Sequence, residues 1–84
     1  MVWHDCKTDP PKKFGYYLLV YSRYHRVYKK QITTFTGCYY DPDKKDWVEY
    51  IKDSEGWYVW EKFSKSWCPL TFIKWAEVDL PEVE

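Results

Sequence analysis

From Gly15 to Tyr24 the chain reads GYYLLVYSRY, apolar or aromatic at nearly every position and without the polar stripe of a surface helix. The run predicts a strand with Tyr16, Leu18, Val20, Ser22 and Tyr24 on one face and Tyr17, Leu19, Tyr21 and Arg23 on the other. Both faces are largely apolar, as expected of a central strand packed on one side and half-covered by large rings on the other. A second run, YKKQITTFTGCYY at 28–40, is rich in Thr, Ile, Phe and Tyr, and with the connection His25-Arg26-Val27 it predicts an antiparallel hairpin. Gly37 interrupts this strand and predicts a bulge or a close approach by another backbone.

The stretch DPDKKDW signals a turn, with Asp41 and Pro42 in the first two positions and Asp43 able to bond its own backbone. WVEYI follows as a third strand, with Trp47, Glu49 and Ile51 opposite Val48 and Tyr50. WYVWEKFSKSW supports two readings. Trp57, Trp60, Phe63 and Trp67 approximate a helical stripe that Ser54 could cap, whereas Gly56 and the dense aromatic group favour a strand followed by loop. TFIKWAEV is a last strand, with Phe72, Lys74 and Ala76 expected opposite Ile73, Trp75 and Glu77. Before the first strand, Val2-Trp3 form a short anchoring segment, and Pro10-Pro11 impose an irregular, extended approach. The expected fold is mostly β or α+β: one domain spanning 1–84, an antiparallel sheet of four to five strands, with one short helix around 55–66 as the open variant. The tail DLPEVE is an acidic coda.

An 84-residue chain has a thin core, so its six Trp, nine Tyr and four Phe cannot all be enclosed. Part of the aromatic surplus is expected on the surface as an interaction face. Charge is balanced overall and uneven along the chain. Pro11 to Tyr40 holds no acid and six cations, while Asp41 to Glu84 sets eleven acids against six lysines, a net of −5. Pairing of a basic hairpin with an acidic remainder accounts for this; a basic face for a polyanion or an acidic partner is the sharper reading.

Candidate chemistry is sparse. His4 and Cys6 could chelate with Cys38, Cys68 or His25, but a single His-x-Cys pair lacks the close second pair of a structural zinc site, and no metal or cofactor is expected. No nucleophile motif frames His4 or His25, and Gly15, Gly37 and Gly56 are too isolated to cradle phosphate, so an enzyme is not expected. The odd cysteine count and the absence of a signal-peptide pattern point to a reduced, cytoplasmic protein. Arg23, Tyr24, Arg26, Tyr28, Lys29 and Lys30 gather at the hairpin end, the composition of a single-stranded nucleic-acid platform. The same residues, with Trp57, Tyr58, Trp60 and Trp67, are also the types that dominate protein interfaces, and a protein-binding domain is the favoured reading.

The segments W-x-x-x-K-T-D-P-P…G-Y-Y-L-L-V-Y, T-G-C-Y-Y-D-P with a downstream Trp, and I-K-W-A-E-V-D-L-P resemble a family of small domains of unknown function from phage and prophage reading frames. The matching positions are Trp3, Pro10 or Pro11, Gly15, Leu19, Val20, Tyr39, Tyr40, Trp47, Trp75 and Pro81. Of these, Trp3, Gly15, Leu19, Val20, Tyr39, Trp47 and Trp75 are expected to be structural. The chain departs from the family pattern between Asp53 and Pro69, where its second aromatic cluster is unusually rich, and in the tail. The resemblance implies a phage or bacterial origin and brings no accepted activity, which favours a small binding protein directed at a host or defence protein in the host cytoplasm; a monomer or weak homodimer is expected. It also implies that Pro10-Pro11 is an architectural lead-in, with Lys12 and Lys13 as solvated charges.

Overall fold

The computed structural model describes residues 1–64 and 69–78. Its strands are β1 (His4–Asp5), β2 (Gly15–His25), β3 (Lys30–Asp41), β4 (Asp46–Lys52), β5 (Tyr58–Lys62) and β6 (Leu70–Glu77). They form one antiparallel sheet in the order β1-β6-β2-β3-β4-β5, with no helix among the described residues. β2 to β5 are a meander, and β6 returns to pair with the free side of β2. Five strands are those read from the sequence; the sixth is the two-residue β1, too short to show any alternation.

Aspartates organise the turns. The Asp41 carboxylate accepts the amides of Asp43 (3.0 Å) and Lys44 (3.4 Å), so Asp41 rather than Asp43 supplies the bonding side chain. Asp53 accepts the amides of Glu55 and Trp57, both at 2.9 Å, and Gly56 beside it takes φ +89°. Asp53 thus does the work expected of Ser54, and it closes a hairpin instead of starting a helix. Residues 26–29 and 42–45 are parallel cases: four-residue loops whose last residue, Lys29 or Lys45, has φ 51° or 54°. This is left-handed backbone that disfavours any residue with a Cβ.

One face of the sheet supplies the core. Leu19 and Tyr21 on β2, Cys38 and Tyr40 on β3, Trp47 on β4, Trp75 on β6 and Phe63 just past β5 are buried together. β4 and β6 stand three places apart in the sheet, which in a flat sheet would put them about 14 Å apart. Yet the Trp47 and Phe72 rings approach to 6.3 Å. Phe63 likewise reaches Tyr21 at 5.4 Å and Phe72 at 6.4 Å. The sheet is therefore rolled towards its own core, and rings from strands far apart in order meet across the concave side.

A bulge contributes to the roll. Val20 pairs Lys74 and Tyr21 pairs Phe72, so Ile73 is the extra residue. The strict alternation expected for this strand is broken there, and Phe72 joins Trp75 on the core face rather than Lys74 on the other. No shift occurs at Gly37, where β2 and β3 stay in register over their whole length. The close approach at Gly37 is made by a side chain: the Tyr16 ring lies where a Cβ would project.

Replacing Lys45 by Gly should remove a left-handed Cβ conflict worth about 1–2 kcal/mol, less the backbone entropy glycine adds, and raise the melting midpoint by about 2–6 °C. Thermal melts by circular dichroism check this. Gly37→Val should lower the midpoint, because Tyr16 must leave its place.

Candidate functional site

The face opposite the core carries an aromatic array. Tyr39 on β3 and Trp60 on β5 meet at 5.0 Å, and Phe14, just before β2, packs edge-on against Trp60 at 5.1 Å. Tyr16 meets Tyr39 at 5.0 Å, Tyr50 stacks on Trp60 at 4.8 Å, and Tyr58 lies 5.2 Å from Tyr50. Six rings from four strands and the lead-in thus make one connected surface. Five remain substantially open: Phe14, Tyr16, Tyr50 and Tyr58 are 43–57% exposed and Trp60 39%. Phe35, on the same face of β3, is 69% exposed.

Register assigns the charges around this array. Lys52, Lys62 and Lys74 project to the aromatic side, with the Lys52 ammonium 5.4 Å from the Tyr58 ring centre. Glu49, Glu61 and Glu77 project to the core side. Three aspartates share the aromatic parity, but Asp5 and Asp41 accept backbone amides in turns, and Asp46 accepts the amide of Trp47 at 2.8 Å. The outward face is therefore aromatic and basic, with its acids occupied at the margin.

A cleft lies beside the lead-in. His4, Asp9, Pro10, Lys12, Lys13, Tyr17, Trp75 and Glu77 line a cleft of about 390 Å³. The His4 ring stacks on Trp75 at 4.4 Å and its Nδ1 donates to Asp9 Oδ2 at 2.9 Å. The Trp75 indole N–H donates to the Asp9 carbonyl at 2.7 Å, and the Tyr17 hydroxyl donates to the Lys13 carbonyl at 2.9 Å. Pro11 is buried, whereas Lys12 and Lys13 are exposed. These contacts fasten the lead-in across β6 and β2, and no serine, threonine or cysteine stands in the cleft lining for the His4–Asp9 pair to activate. Among the described residues no group of three or more His, Cys, Asp or Glu is placed to hold a metal ion.

The ten binding residues read from the sequence do not share one surface. Tyr58 and Trp60 belong to the aromatic array, and Tyr24, 42% exposed, lies on the same face of β2. Arg23 is half-buried on the core side. Arg26, Tyr28 and Lys29 form the β2–β3 turn, where the Tyr28 amide donates to His25 Nδ1 at 3.3 Å and Lys30 approaches the Tyr28 ring. Trp57 is exposed in the β4–β5 turn, and Trp67 lies outside the described residues, as do Cys68 and Pro81. The helical stripe is divided, since Trp60 faces outward and Phe63 inward.

Of the expected structural residues, Leu19, Trp47 and Trp75 are core, Val20 is half-buried on the outward face, and Gly15 opens β2. Trp3 stays outside the core, under the Lys74 ammonium at 4.9 Å. Tyr39 is the hub of the aromatic array. Nothing in the local sequence marks Phe14, Tyr16 and Tyr50 as binding residues. Alternation placed Tyr16 and Tyr50 on defined faces of their strands, but it carries no information on which face the rest of the chain covers.

The chain matches no protein-family model, no curated protein and no solved structure. Among the described residues no helix is long and apolar enough to cross a membrane.

Burial, with Asp5 adjacent, pushes the Cys6 thiol from 9.0 up to about 12. Burial also raises the phenols of Tyr17 and Tyr40, with Glu77 and Asp46 adding to the two shifts respectively. These groups hold their protons in the fold at a pH where the unfolded chain has lost them. Their contribution is thus complete below about pH 9 and lost as pH rises through the folded-state values. Urea midpoints should fall between about pH 8 and pH 11, and at the lower pH iodoacetamide should label Cys6 far more slowly in the native protein than in urea.

Proposed function

We propose that this chain is a binding module, working without catalysis, that docks a protein partner on its outward aromatic face. The connectivity of the rings carries the reading. A nucleic-acid platform presents separate ring faces on which successive bases stack. Here the rings pack against one another: the Phe14–Trp60 planes meet at 88°, Tyr39–Trp60 at 78° and Tyr16–Tyr39 at 66°. In each of these pairs one ring turns its edge to the face of the other, and Tyr50 lies nearly parallel to Trp60 (29°) and Tyr58 (33°), so the rings hold one another in a connected exposed patch with Lys52, Lys62 and Lys74 on the same side. That is the anatomy of a protein interface, an aromatic centre within a polar rim. The charge pattern favours a partner with an acidic margin around an apolar patch. A host protein of the cytoplasm is the proposed target class, as the sequence resemblance to small phage domains implies.

Tagged protein incubated with bacterial lysate, with and without nuclease, should recover one dominant protein in both arms. Tyr50→Ser combined with Trp60→Ser should lower that recovery at least about tenfold; the lost ring contacts lower the melting midpoint, but circular dichroism should show the variant still folded at the capture temperature. Recovery that vanishes with nuclease and survives the double substitution moves the function to the basic hairpin end and single-stranded nucleic acid.

A further inference from the structure

Beyond Tyr39 the two arms of the sheet part. β3 pairs with β2 along its whole length but with β4 only at Tyr39, Tyr40 and Asp41. The Trp47 carbonyl accepts the Phe63 amide at 2.8 Å, so the Trp47 backbone is turned to the β5 side. Tyr39–Val48 and Asp41–Asp46 are then the hydrogen-bonded pairs of β3 and β4. By the same alternation Gln31, Thr33, Phe35 and Gly37 aim their amides and carbonyls at the β4 side, where no described strand stands opposite. This half-edge reads QITTFTG: no charge, no proline, β-branched and aromatic throughout its centre. Within these seven residues there is no charge, proline or bulge to keep a free edge from pairing; Lys30 stands only at its far end.

The other arm carries an unmet charge. Glu49 and Glu61 are direct cross-strand partners on β4 and β5, a like-charge opposition that destabilises a sheet. Among the described residues neither carboxylate has a cation against it. Lys29 and Lys30 stand at the far end of the same β3 edge, and Lys30 shares the core-side parity of Glu49.

We propose that the β3 half-edge is a strand-addition site whose occupant is a second copy of this chain. The two edges pair antiparallel about a two-fold axis near Thr33 and Thr34. This symmetry brings together uncharged residues only, satisfies the outward amides and carbonyls of both copies, and opposes no like charges. It also carries Lys29 and Lys30 of each copy towards the notch where Glu49 and Glu61 of the other stand. The axis is normal to the sheet, so the two aromatic faces lie on the same side. The pairing is independent of what those faces bind.

Sedimentation equilibrium of the full chain over a concentration series tests this. A reversible shift from one-chain to two-chain mass is expected. Thr33→Pro removes an amide that the monomer's own ladder does not use and should weaken the dimer at least about tenfold. Lys30→Glu and Glu49→Lys should each weaken it, and the two combined in one chain should restore it, which loss of folding cannot mimic. A one-chain mass at every concentration up to about 1 mM overturns the proposal, as does a dimer indifferent to all three substitutions. A chain that stays monomeric but takes up a short basic extended peptide, sensitively to Thr33→Pro, assigns the edge to a different partner and overturns it too.

Discussion

A single sheet must bury one of its faces against something, and in this protein that something is the sheet itself. Six antiparallel strands roll far enough for β4 to meet β6 and for the end of β5 to meet β2, through Trp47, Phe63, Phe72 and Tyr21. Only large side chains span that interior. An aliphatic core of the same residue count would leave the concave side empty, because the backbones on opposite walls are held apart by the strands between them. The abundance of Trp and Tyr is therefore first a consequence of building a core without a second layer. The bulge at Ile73 serves the same end, since it turns Phe72 inward where the sheet bends.

Rolling one way exposes the other side. The outward face carries six connected rings, five of them substantially exposed. The sheet does not roll uniformly. β4 follows the curl with β5 while the upper part of β3 stays with β2, which opens the fork that frees the β3 edge. The aromatic face and the part of the β3 edge that no described strand pairs with thus both follow from the way the sheet rolls. The lead-in belongs to this balance as well. Pro11 is buried and the Trp75 indole is bonded to the Asp9 carbonyl, so this segment lies over the β6–β2 side that the meander leaves uncovered.

Four strands, their order along the chain and most of their ends were legible in local pattern, because period-two alternation and turn chemistry act over a few residues, whereas Tyr58–Lys62 fitted helix and strand alike until β4 paired with it. GYYLLVYSRY, the Asp41-Pro42 turn and WVEYI needed no tertiary information. The aromatic surplus also announced that some rings would remain outside. What the sequence could not disclose was set by contacts between distant segments. Whether Tyr16 or Tyr17 faced the core depended on which side β6 and Phe63 would cover. The place of Phe72 depended on a bulge that strict alternation cannot express, and β1 exists only because an edge of β6 was there to pair with. The hairpin-end cluster looked like one site because its residues are close in sequence. In the sheet, parity sends Arg23 and Tyr24 to opposite faces, while Phe14, Tyr39 and Trp60, far apart along the chain, are brought to within ring contact. Strand identity is a local property of side-chain shape and backbone preference; the choice of buried face, and with it the site, is decided only when the sheet closes.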